Sequence, residues 1–190
     1  QLDVLLALPT DDAVLVRHWT LSAADLAAIG RRRRDRNQLG FAVQLCALRY
    51  PGRLPRPGEL IPGKALRFVA EPLGVEPEAL IAYAARFQTR YEQAEALRQT
   101  FGFRPLDRPN RRELLTWLVP VALATTDAMA IATALMDEVR RRRLIVPGSS
   151  IVERLVAAAT ALAERRVAHE LIRNLSPAQG NALDALLQIK

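Results

Sequence analysis

The chain has 190 residues, half of them hydrophobic, and carries 27 basic against 20 acidic side chains for a net charge of +7. That is enough apolar material for one large domain or two small ones, and too much for a disordered tail. A single cysteine excludes an internal disulfide, and no apolar run of about 18 residues is present to cross a membrane.

Residues 1–106 carry 15 basic and 11 acidic groups and residues 107–190 carry 12 and 9, so both halves are basic. Of the 27 basic residues 25 are arginine, the side chain suited to bidentate contact with phosphate and with guanine edges. GC-rich coding raises Arg, Ala, Leu and Pro together and is a competing cause of the excess. No basic segment precedes the apolar stretch Leu2 to Leu8, so no signal peptide is read and a cytoplasmic protein is expected. A chain that starts at Gln1 and stops at Lys190 within a helical pattern reads as a fragment, truncated at its C-terminal end.

Strand signals are sparse, whereas helix starts with capping-box spacing recur at Ser22–Asp25, Thr89–Glu92, Asn110–Glu113, Ser150–Glu153 and Ser176–Gln179. The expected fold class is all-α. The pattern predicts a short helix over 10–18 capped by Thr10, then a second over 23–30 with Leu26 and Ile29 facing inward and Gly30 at its end. The run RRRRDR, Arg31 to Arg36, leads into a longer helix from about Asp35 to Tyr50. At about 100° per residue Leu39, Ala42, Val43, Cys46 and Tyr50 share one face, while Phe41, Leu45 and Leu48 share nearly the opposite one. Such a helix is wrapped on two sides, with Asn37, Gly40 and Gln44 as one polar strip and Gln38 and Arg49 as the other. A short helix, an arginine-rich turn and a longer helix resemble a helix-turn-helix. Burial of the second helix directs any contact to its N-terminal end, where the dipole and unpaired N–H groups favour phosphate.

Residues 51–63 hold four prolines and three glycines and read as a loop exposing Arg53 and Arg56. Helices over 62–73, 77–87 and 89–101 follow, closed by Gly102. The segment Phe103 to Pro109 then divides a first module, 1–106, from a second, 107–190. The second module is expected to hold helices over 110–124 and 127–143, a Pro147-Gly148 turn, a long helix from Ser150 to about Leu175 and the start of another at Pro177. Arg140 to Arg143 close one helix there as Arg31 to Arg36 open one in the first module, giving two consecutive helical modules of helix-turn-helix type. On the long helix Ile151, Val152, Leu155, Val156, Ala159 and Leu162 form a broad apolar face, with Arg154, Ala158, Ala161 and Arg165 in a strip away from it.

Candidates for chemistry are few. His18 and His169 are isolated, Asp11 and Asp12 read as the first turn of a helix, and Cys46 falls among core positions as a structural thiol. No HExxH, CxxC or phosphate-loop motif occurs, so no catalytic residue, no metal site and no cofactor is assigned to this chain.

The run RRRRDRNQLGFAVQLCALRYPGR, Arg31 to Arg53, contains N-x-L-G-F-A-x-Q-L-x-x-L-R-Y-P-G from Asn37 to Gly52. With the segments LPTDDAVLVRHWTLSAADLAAI before it and YAARFQTRYEQAEALRQTFGFRPL after it, it closely resembles the N-terminal region of transposases of the Tn-three family of replicative transposons. The likeness extends across nearly the whole chain. It implies helical modules that bind double-stranded DNA at the terminal inverted repeats of a transposon, in a bacterial, nucleoid-associated setting. It also implies that strand cutting and joining, with magnesium, belong to a separate domain further along a parent protein, for which a homodimer is the expected assembly. The motif itself does not say which side chains touch bases.

The DNA-contact candidates therefore rest on exposure and charge: Arg31, Arg32, Arg33, Arg34, Arg36, Asn37, Gln38, Gln44 and Arg53 in the first module, and Arg140, Arg141, Arg142, Arg143, Ser149, Ser150 and Arg154 in the second. A helical scaffold whose basic faces dock acidic partners in a larger assembly is the alternative. An RNA-binding adaptor is weaker still, because aromatics make up only 5% of the chain and fall at core spacing.

Overall fold

A computed structural model describes residues 2–84, 87–173 and 175–187. A 3-10 helix, Leu2–Leu6, is followed by α1 (Asp12–Trp19), α2 (Ala23–Gly30), α3 (Asp35–Arg49) and α4 (Gly63–Ala70), which runs into a 3-10 turn at Glu71–Leu73. Next come α5 (Ala79–Ala84) and α6 (Phe87–Phe101), then α7 (Arg108–Ala124), α8 (Ala128–Arg141), α9 (Ser149–Arg173) and α10 (Pro177–Leu187). The fold is all-α apart from two residues of strand in each half, β1 (Arg104–Pro105) and β2 (Leu144–Ile145), which pair in parallel.

Local chemistry sets the helix starts. Ser22 and Asp25 form the expected capping box on α2, and Ser176 with Gln179 caps α10. The first helix is capped not by Thr10 but by Asp11, whose carboxylate accepts from the Val14 N–H at 3.1 Å. Likewise α7 starts earlier than expected, because Asp107 caps the Asn110 N–H with Pro109 in the first turn. The cap expected at Thr89 lies outside the described side chains.

Every residue of α3 from Leu39 to Leu48 is buried, as two opposed apolar faces require. It packs against α1, α2, α4, α5 and α6. The crossing with α5 depends on Gly40, since a Cβ there would lie 2.5 Å from ring atoms of Tyr83. The first core cluster gathers around this helix, with Leu15, Trp19, Ile29, Val69, Leu97 and Phe103 at its edges. A second cluster joins α7, α8 and the first half of α9 through Leu114, Leu118, Ile131, Leu135, Ile151 and Leu155. Leu6 of the N-terminal 3-10 helix packs into this second cluster rather than the first. Leu162, expected on the apolar face of α9, is 39% exposed although Ala159 and Ala163 on either side of it are buried, because it falls at the edge of the covered face; beyond Ala163 the helix is exposed through Arg173.

The clusters are stitched together just past α3. Gly52, at φ +106°, folds the chain back so that its N–H and that of Arg53 both reach the Ala47 carbonyl, while its own carbonyl accepts from the Val146 N–H at 2.9 Å. Only glycine takes this backbone conformation without strain.

Two substitutions separate burial from helix propensity. Leu45→Ala should cost about 2–5 kcal/mol in urea unfolding, through lost contacts and a cavity. Gly40→Ala improves intrinsic propensity by about 1 kcal/mol yet should still destabilise, by about 1–3 kcal/mol, because Tyr83 must move. A Gly40→Ala protein more stable than the wild type would contradict this packing.

Candidate nucleic-acid interface

The first arginine run occupies the turn between α2 and α3. Arg31, Arg33 and Arg34 are exposed, and none of the three is ion-paired among the described residues. Arg32 and Arg36 are half-buried, and the Arg32 guanidinium sits 4.2 Å from the centroid of Phe41. The Gln38 amide donates to the Arg32 carbonyl at 2.8 Å, and the Asn37 carbonyl accepts from Gln93 at 3.2 Å, so both residues help to hold the turn. Arg34 stands at the N-cap of α3 with no side-chain cap hydrogen bond. By contrast α1, α2, α7 and α8 are each capped by a side chain. The start of α3 thus combines its dipole and backbone N–H groups with exposed guanidinium groups, an arrangement that attracts phosphate.

The second run is tied to the protein's own acceptors. Arg140 pairs with Asp137 at 2.5 Å, and Arg141 makes a two-pronged contact with Glu138. Arg142 reaches Glu138 at 2.6 Å and Glu113 at 3.5 Å, while Arg143 donates to the Phe101 carbonyl at 2.7 Å. Glu138 is buried beneath this group, and the Arg141 hydrogen bond, followed by Arg142, holds its carboxyl down at about 2 against the opposing effect of burial. Beyond the turn Ser149 is half-buried, whereas Ser150 and Arg154 are exposed on the first turns of α9. Arg154 folds back on its own helix, donating to the Ser150 carbonyl at 3.2 Å.

Two candidate residues are not available to DNA. Gln44 is buried, because α5 lies across the polar strip on which it falls and Tyr83 receives its amide N–H at 2.6 Å. Arg53 is 5% exposed. Its Nε–H donates to the Leu6 carbonyl at 2.7 Å, and its two terminal guanidinium nitrogens pair with Glu59, whose carboxyl pKa they lower. The loop that the prolines and glycines mark is real, but Arg53 is its internal brace and only Arg56 is exposed.

Sequence spacing also missed Arg49, which leaves the far end of α3 to grip the buried Asp25 through two bonds of 2.7 and 2.9 Å. The signal was an acidic residue on the inward face of α2. Cys46 is a structural thiol, and burial pushes it up to about 12. Among the described residues no group of three or more His, Cys, Asp or Glu side chains could hold a metal ion, and no helix is long and apolar enough to cross a membrane.

Residues 1–159 match the family described as a domain of unknown function, DUF4158. The chain is 39% identical over 184 residues to the transposase for transposon Tn21 of Escherichia coli, an alignment covering 97% of this chain and 19% of that protein. It is 36% identical to the transposase for transposon Tn501 of Pseudomonas aeruginosa and 29% identical to that for transposon Tn1546 of Enterococcus faecium, each over 98% of this chain and 19% of the relative. The chain therefore spans about a fifth of the length of these relatives.

Glu59 and Glu138 have folded pKa values below the ordinary 4.5. Their contribution to stability is complete above that value and is lost as pH falls through the lowered ones, toward about 2 for Glu138. A Glu59→Gln/Glu138→Gln protein should melt lower than wild type at neutral pH and show a flatter dependence of Tm on pH between about 5 and 2. A melting profile parallel to wild type across this range would contradict the two clamps.

Proposed function

The chain belongs to the DUF4158 family and matches the N-terminal part of Tn-three-type transposases, and from that premise we propose that it is a DNA-binding region that recognises the terminal inverted repeats of a transposon. The observation that carries the proposal is the start of α3: exposed arginines with no ion pair among the described residues, at a helix end with no side-chain cap hydrogen bond, on a helix otherwise sealed in the core. Affinity comes from Arg31, Arg33 and Arg34, with Arg32 and Arg36 beside them. The first turns of α9, with Ser150 and Arg154, supply a second contact, so that α2–α3 and α8–α9 act as two helix-turn-helix modules, 1–106 and 107–190. Cutting and joining, with magnesium, are assigned to the parent protein beyond these residues. The parent acts on DNA at the bacterial nucleoid, as a homodimer.

The competing scaffold that docks acidic proteins shares the salt sensitivity but not the sequence preference. Three phosphate contacts removed by Arg31→Gln/Arg33→Gln/Arg34→Gln should flatten the slope of log affinity against log salt by about 2–3 units and weaken transposon-end and scrambled duplex alike. Arg154→Ala should cost about 1–3 kcal/mol on the transposon end and little on scrambled DNA. Titrations by fluorescence anisotropy at several salt concentrations distinguish these outcomes. A wild type that binds both duplexes equally would reject inverted-repeat recognition.

A further inference from the structure

A cleft of about 400 Å³ opens beside the junction of the two core clusters. Phe101, the last residue of α6, and Phe103 just beyond it line the cleft, with His18 from α1 and Arg49 from α3, while Arg140 and Asp137 come from α8 and Arg143 from the turn after it. Three guanidinium groups and an imidazole thus face one carboxylate among the described residues of the lining. Each arginine is fastened along one side, Arg49 to Asp25, Arg140 to Asp137 and Arg143 to the Phe101 carbonyl. The Tyr50 ring orders two of the groups, with His18 stacked on it at 4.9 Å and the Arg140 guanidinium 4.9 Å from its centroid. Arg143 itself adopts a left-handed backbone, φ 52°, at a helix end where glycine would fit without strain. Keeping an arginine at this position preserves a strained backbone in return for a side chain at the cleft.

We propose that this cleft binds a phosphate group, held by Arg49, Arg140 and Arg143 from both core clusters. Its source, a duplex backbone rather than the free ion, rests on the DNA-binding function above. Pre-fastened guanidinium groups lose little freedom when the anion arrives. Partial withdrawal from water, with the Arg140 side chain only 18% exposed, strengthens the attraction. His18 adds a pH response. Burial first, then Arg17 and Arg140, hold it below its ordinary value against the opposing Asp137, and Arg49 and Arg143 share the cleft with it. A bound anion favours the imidazolium form, so affinity rises as pH falls through the lowered pKa.

Arg143→Gly is the decisive variant, because it suits the backbone while removing the guanidinium. Inorganic phosphate should raise the Tm of the wild type saturably above chloride of equal ionic strength. Arg143→Gly and Arg140→Gln should each lose most of that increment while remaining folded. Sulfate, whose charge is constant, should stabilise the wild type more at about pH 5.5 than at about pH 7, and His18→Phe, which keeps the stack on Tyr50, should abolish the difference. On duplex DNA, Arg143→Gly should reduce the salt slope by about 0.9, one contact, for transposon-end and scrambled sequences alike. Loss of the phosphate increment with an unchanged slope would retain the anion site and identify the free ion as its source. Equal phosphate stabilisation of wild type and both variants, or none in any, would overturn the proposal, whatever the duplexes do. A wild type without preference for the transposon end would reject inverted-repeat recognition and leave the phosphate result standing.

Discussion

Burial of α3 on all sides is the constraint from which the rest of the structure follows. A helix with two opposed apolar faces cannot lie in a DNA groove along its length, because exposing Phe41, Leu45 and Leu48 would forfeit about 1.5–3 kcal/mol for each side chain. Five helices cover it instead, and only its two ends reach beyond the core. One end meets the arginine turn. The other passes through Tyr50, whose carbonyl accepts the Trp19 indole N–H at 2.9 Å, into Gly52 and Arg53, where the two clusters are joined.

The same residue type has two roles in this chain because its surroundings differ. Arg31, Arg33 and Arg34 stand beside an uncapped helix start with no carboxylate paired to them among the described residues, which leaves their charge directed at solvent. Arg140 to Arg143 close a helix over the buried Glu138 and bind it, Asp137 and a backbone carbonyl. An ion pair whose carboxylate stays exposed, as Asp137 does beside Arg140, contributes little stability, about 0–1 kcal/mol, whereas the buried Glu138 carboxylate would be costly without its two guanidinium partners. The second run is consequently a clamp first, and its charge acts on ligands only through the N–H groups that the clamp leaves over.

Much of this was legible in the sequence where the cause is local. Helical periodicity disclosed the two buried faces of α3, and Ser22 with Asp25 disclosed the start of α2, since both depend on residues within one or two turns. Gln44 and Arg53 were misread because their surroundings come from far along the chain: Tyr83 is 39 positions from Gln44, and Leu6 is 47 from Arg53. A polar residue in a proline-rich loop reads as solvated unless its distant partner is known. Leu162 was misread because it lies at the edge of the apolar face of α9, where the packing that buries Ala159 and Ala163 does not reach. The pairing of β1 with β2 involves two residues on each side and leaves no periodic trace.

Cys46 is buried, and burial pushes its thiol up to about 12, so an added exposed cysteine should react far faster with thiol reagents and can carry a DNA-cleaving reagent to a chosen point on the surface. With Arg33→Cys labelled in this way, the start of α3 should produce a discrete set of strand cuts within one terminal inverted repeat and no defined pattern on scrambled duplex. Identical diffuse cutting of both duplexes, or none on the transposon end despite binding, would contradict the placement of DNA at this helix end.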